Sequence, residues 1–129
     1  MMPPSPSKPK SKARIAAYLG GHRGETLAAR FLRLKLYRIV QRRCKTPVGE
    51  IDLIAERFGT TVFVEVKSRR GRHLEGEALL AVRRDRIVRA AQYYISRHPR
   101  LVATSLRFDV IFLAPRMWPR HVMNAFDAS

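Results

Sequence analysis

Gly49-Glu50-Ile51-Asp52-Leu53-Ile54-Ala55-Glu56-Arg57-Phe58-Gly59-Thr60-Thr61-Val62-Phe63-Val64-Glu65-Val66-Lys67-Ser68 decides the fold. Residues 50–55 and 61–67 are apolar-rich, β-branched runs. The five residues between them are few enough, and contain the glycine, for a hairpin loop. Side chains alternate along a strand, so Val62, Val64 and Val66 take one face and Phe63, Glu65 and Lys67 the other. Glu65 and Lys67 are then neighbours about 6.6 Å apart. A turn at Phe58-Gly59 makes the numbers of opposed residues sum to 117. That register sets Asp52 against Glu65 and Glu50 against Lys67 on one face.

Glu50, Asp52, Glu56 and Glu65 put four of the chain's ten acids in or beside this hairpin. Two carboxylates directly opposed repel at a cost of up to about 1 kcal/mol unless a cation lies between them. One or two carboxylates and a carbonyl suit Mg²⁺ or Mn²⁺, which complete their shell with water and phosphate oxygens. Such an ion polarises a phosphodiester and acidifies a bound water, and the Lys67 ammonium beside it can offset developing charge. The same acids equally suit a solvated sheet face with cross-strand ion pairs. Spacing alone leaves both readings open.

Outward from the hairpin, Leu27, Phe31 and Leu34 recur at helical spacing with Ala28 and Leu32 beside them, predicting a helix over 24–36. Residues 37–42 read as a short strand and 45–49, with Pro47, as a turn. Residues 68–77 read as a basic loop and 78–97 as a second amphipathic helix, stopped by His98-Pro99. Residues 106–113 alternate as a strand buried on one face and at least partly on the other, and 121–125 form a last short strand. The order α-β-β-β-α-β-β is that of an α/β domain with a mixed sheet flanked by helices. Residues 1–17 open with a Pro/Ser/Lys-rich stretch that lacks apolar periodicity and is expected to be a disordered basic arm. The folded domain then spans 18–129.

The 129 residues carry 26 Lys+Arg against 10 Asp+Glu, a net charge of +16. A field of that sign attracts nucleic acid through its phosphates. Cys44 is the single cysteine, and His22, His73, His98 and His121 have no metal-binding spacing, which argues against a disulfide or a structural zinc. No apolar run approaches a membrane span, and no apolar core of a secretory signal opens the chain. The expected location is the cytoplasm, without membrane association.

Gly24-Glu25 at a helix start, Gly49 to Ile54, Val62 to Arg69, Arg107-Phe108-Asp109-Val110 and Asn124-Ala125-Phe126 stand in this order. Together they resemble the YraN-like family of small bacterial proteins, over residues 18–126. That family in turn resembles the PD-(D/E)xK nuclease superfamily, with a restriction-endonuclease-like sheet nearest the archaeal-type Holliday junction resolvases. The resemblance implies a divalent-metal-dependent DNA endonuclease, selective for branched, flap or junction DNA. It implies Asp52, Glu65, the Val66 carbonyl and Glu25 as ligands of Mg²⁺ or Mn²⁺, Lys67 as the catalytic lysine, and Gln92 as an additional polar residue of the site. Ile51 stands where the superfamily's name has proline. Arg69, Arg70, Arg72, Arg83, Arg86 and Arg89 are the expected phosphate contacts, and a homodimer is expected by analogy with resolvases. The competing readings are a non-catalytic nucleic-acid-binding module or assembly partner that retains the fold, and an RNA-directed nuclease.

Overall fold

A computed structural model describes residues 22–68 and 84–126. Helix α1 (His22–Leu34) leads into strands β1 (Arg38–Thr46), β2 (Gly49–Arg57) and β3 (Thr60–Ser68). Helix α2 (Arg84–Ser96), a 3₁₀ turn (Pro99–Ala103), β4 (Ser105–Leu113) and β5 (Arg120–Phe126) follow. The strands lie in the order β1-β2-β3-β4-β5. All neighbours are antiparallel except β3 and β4, which are parallel. This is the expected α/β order, consistent with a restriction-endonuclease-like fold.

Each helix covers one face of the sheet because each strand alternates apolar side chains to both faces. Ala28, Ala29 and Leu32 of α1 pack with Leu53, Val62, Val64 and Ile111. On the other face Ile87, Ala91 and Tyr94 of α2 pack with Ile54, Phe63, Phe108 and Phe112. The central strands are therefore apolar on both sides, and a polar side chain there stands out.

The β2–β3 turn is the two residues Phe58 and Gly59, both left-handed with φ of 50° and 78°. Two left-handed central residues match the right-handed twist of the strands they join. The register sums to 117 from Leu53↔Val64 to Arg57↔Thr60, as the sequence predicts. β1 runs through Thr46, further than expected, because Pro47 and Val48 alone make the turn. The Thr46 hydroxyl closes that turn by donating to the Gly49 carbonyl and accepting from the Val48 N–H. Residues 1–17 of the expected arm and 69–83 of the expected loop and helix start lie outside the described residues. Among the described residues no helix is long and apolar enough to cross a membrane.

Candidate active site

Pairing of β2 with β3 stops at Leu53↔Val64. One step further the Val66 N–H donates to the Asp52 carboxylate at 2.8 Å. A side chain thus takes the place of a backbone acceptor, and the strands part around it. Asp52 and Glu65 meet in this opening, close enough for each to feel the other's charge. Burial first, and then the charge of Glu65, push the Asp52 carboxyl up to about 7, against the lowering effect of the Val66 N–H. Two acids that cannot both ionise cheaply leave a site suited to a cation.

Lys67 lies one strand step beyond, its Nζ 3.1 Å from a Glu65 carboxylate oxygen. Glu50 turns away from Lys67, contrary to the extended register, and meets Arg43 of β1 at 3.7 Å. With pairing ended at residue 53, nothing holds Glu50 opposite Lys67. Glu25, in the first turn of α1, stands 3.8 Å from the same Arg43. Its carboxyl is nearly buried, and its Oε1 lacks a hydrogen-bond partner. Burial and then the charge of Asp52 raise its pKa, so Glu25 is electrostatically part of the site. Among the described residues no three His, Cys, Asp or Glu side chains converge as a ready metal cage. The donor set is two carboxylates and backbone oxygen, the kind that Mg²⁺ accepts when water and phosphate supply the rest.

Gln92 is exposed on α2, whose buried positions are Ile87, Ala90, Ala91 and Tyr94. The helix packs at the first residue of β2, since a Cβ on Gly49 would stand 3.5 Å from the Arg86 carbonyl. Arg86 and Arg89 are exposed there. Arg69, Arg70, Arg72 and Arg83 lie outside the described residues.

A family model described as "Uncharacterised protein family UPF0102" matches residues 24–113. The chain belongs to this family, UPF0102, the YraN family. It is 49% identical to a UPF0102 protein of Chelativorans sp. (strain BNC1), over 90% of this chain and 94% of the relative. The corresponding relative of Parvibaculum lavamentivorans is 48% identical over 87% and 84%. That of Rhodopseudomonas palustris (strain BisA53) is 44% identical over 97% and 96%.

A second polar centre, on β4 of this UPF0102 chain, shows in the sequence only as the Arg107-Phe108-Asp109-Val110 motif, with no role attached. Asp109 is wholly buried (0% exposed) and accepts from Arg107 twice at 2.9 Å, from His121 Nε2 at 2.7 Å and from the Asn124 N–H at 3.0 Å. Arg107 also donates to the Tyr37 hydroxyl, and Lys35 Nζ reaches His121 Nδ1 at 2.7 Å. Burial alone would raise the Asp109 pKa; the hydrogen bonds from His121, Arg107 and Asn124 overcome it and hold it low. The signal was an acid at an inward position of a strand apolar on both faces, which demands partners. Arg107 is two residues away on β4, but His121 and Asn124 come from β5, and Tyr37 and Lys35, which hold Arg107 and His121, come from the turn between α1 and β1, which no local pattern reveals.

Proposed function

We propose that this protein is a divalent-metal-dependent endonuclease that hydrolyses phosphodiester bonds, in DNA ahead of RNA. The observation that carries the reading is the meeting of Asp52 with Glu65 where β2 and β3 part, with the Lys67 ammonium 3.1 Å from Glu65. Two half-buried carboxylates that meet repel one another unless a cation joins them. Asp52, Glu65 and the Val66 carbonyl would hold Mg²⁺ or Mn²⁺, which when bound polarises the phosphate and acidifies water.

The chain's own groups do the rest. The Val66 N–H fixes one Asp52 oxygen, so that carboxylate keeps its orientation without rotamer loss. The Lys67 ammonium neutralises charge that builds on the phosphate oxygens as water adds to phosphorus and a bridging P–O bond breaks. Glu25, nearly buried beside Asp52, adds negative charge that strengthens the hold on a cation. Arg86 and Arg89, exposed on the helix that packs at the start of β2, offer backbone phosphate contacts, which position a strand without reading its sequence.

The test is cleavage of labelled linear, flap, fork and four-way DNA with and without Mn²⁺, by the wild type and by Asp52→Asn and Glu65→Gln. Metal-dependent nicking lost in both variants, with DNA binding retained, is expected. Undiminished cleavage by both variants overturns the assignment. The lack of a ready three-ligand cage among the described residues favours one alternative, a non-catalytic nucleic-acid-binding module. That alternative requires DNA binding with no metal uptake and no turnover. Matched RNA duplexes in the same assay decide between the two nucleic acids, because discrimination requires reading the 2′-hydroxyl or the helix form.

A further inference from the structure

Trp118, the chain's only tryptophan, is 80% exposed in the turn between β4 and β5. It does not stand alone. Together with Leu27, Phe31, Leu113 and Met117 it lines an apolar cavity of about 320 Å³, to which Arg30 contributes the one charged side chain. A hollow of this size lies at the small end of ligand pockets, enough for one planar ring system. An exposed aromatic gathered into an apolar patch marks a contact surface, whereas a solitary exposed apolar residue carries no such meaning.

The charge around the patch is of one sign. Arg30, Arg33 and Arg116 are all exposed on α1 and the β4–β5 turn, which form it. No acidic side chain lines the cavity, and no described carboxylate pairs with Arg30, Arg33 or Arg116. An aromatic face within a cationic surface is the arrangement that holds an unpaired base while its phosphates are neutralised. An acidic or apolar protein partner would leave the ring or the arginines less well used.

The position ties the patch to the acids. Lys67 is opposite Phe112 and Ser68 opposite Leu113 in the β3–β4 ladder. The turn bearing Trp118 therefore leaves the sheet at the end where Asp52, Glu65 and Lys67 lie, with the cavity on the α1 face beside Leu113 and with Glu65 and Lys67 on the α2 face, so that a strand reaching both passes around that end of the sheet. The other wall starts from the same place, because Leu27 is two residues beyond Glu25 on α1.

We propose that the Trp118 cavity binds an unpaired nucleobase of the strand whose backbone lies at the acidic site, so that the substrate class is nucleic acid with unpaired bases next to the reacting phosphate. The proposal rests on the nuclease reading for the identity of the acidic site. A base inside a continuous duplex cannot present its face to Trp118 without first leaving the stack, at a cost of a few kcal/mol. Flaps, forks and junctions provide the base already free. Selectivity for structure then follows from one aromatic ring, with no base-specific hydrogen bond.

Because Trp118 is the single tryptophan, its emission reports this surface alone. Short oligothymidine and a blunt hairpin duplex are titrated into the full chain in EDTA, where no cleavage occurs. Expected are saturable quenching by oligothymidine and little response to the hairpin. In Trp118→Ala, anisotropy of labelled oligothymidine should show binding weakened about tenfold, with hairpin affinity nearly unchanged. Trp118→Phe should restore much of the loss, since the ring and not the indole N–H is what the base needs. Unchanged emission with oligothymidine overturns the proposal. So does a Trp118→Ala loss that is equal for both probes. Emission that shifts with protein concentration alone, with sedimentation showing a dimer, assigns the patch to a second copy and also overturns it. Quenching without any cleavage in Mn²⁺ would sink the nuclease reading and leave the base site standing, whereas cleavage without quenching would do the reverse.

Discussion

Asp52 is the residue at which chemistry and stability pull apart. Its carboxyl is half-buried against Glu65 and pushed up to about 7, well above its value in an unfolded chain. The folded protein therefore keeps a proton that the unfolded chain loses from about pH 4 upward. Without a divalent ion, stability falls as pH rises from about 4 to about 7, by an amount on the order of 1–3 kcal/mol. Asp52→Asn keeps an acceptor for the Val66 N–H and removes the charge. Urea denaturation in EDTA should find it more stable than the wild type at neutral pH, with that part of the pH dependence gone. Asp109 carries the opposite sign. Its pKa is held low by His121, Arg107 and the Asn124 N–H, so the stability it lends is present above about pH 4 and lost as pH falls further. Asp109→Ala would strand Arg107 and His121 in the interior and should cost about 3–5 kcal/mol in the same experiment. Strand alternation together with a turn at Phe58-Gly59 brought Asp52, Glu65 and Lys67 to one face in the sequence, and left open whether that face holds a metal or water. Asp109 was visible only as part of a motif, because His121 reaches it across the β4–β5 ladder and Tyr37, far off in sequence, holds its partner Arg107.

Elements were read well where periodicity was strong and less well where a turn or a tertiary contact set the boundary. The hairpin register came out of one assumption, a turn at Phe58-Gly59, and it holds up to the point where Asp52 takes the Val66 N–H. The end of β1 was misplaced because Pro47 suggested a longer irregular stretch, whereas Thr46 supplies hydrogen bonds that let a two-residue turn suffice. The 3₁₀ turn after His98 was not foreseen, since Pro99 marks where a helix stops and not what replaces it. The end of α1 shows how a residue can oppose its own backbone. The Tyr37 N–H donates to the Leu32 carbonyl and the Leu36 N–H to the Arg33 carbonyl, the double closure that terminates many helices. It places Leu36 at φ of 72°, where glycine is the usual occupant, and leaves its side chain exposed. Leu36→Gly should therefore raise stability by about 0.5–1 kcal/mol, the relief of left-handed strain exceeding the added freedom of the unfolded chain. Thermal denaturation at fixed pH checks this, and a lower midpoint would contradict it.

At the scale of the whole molecule, a sheet covered on both faces by helices leaves one end for function. The acids of β2 and β3, the start of α1, the start of α2 and the β4–β5 turn all gather there. Net charge of +16 supplies attraction for a polyanion over the whole surface, and the few acids mark where the reaction would occur. Family membership adds relatives of nearly the same length and agrees with the order of motifs along the chain. The account stands on one cation held between Asp52 and Glu65. Calorimetric titration of the metal-free chain with Mn²⁺ tests it most directly. One site per chain is predicted, with affinity that rises with pH up to about 7 as Asp52 gives up its proton, and with heat that disappears in Asp52→Asn and in Glu65→Gln. Saturable Mn²⁺ binding of equal strength in both variants, or none in the wild type, would contradict it.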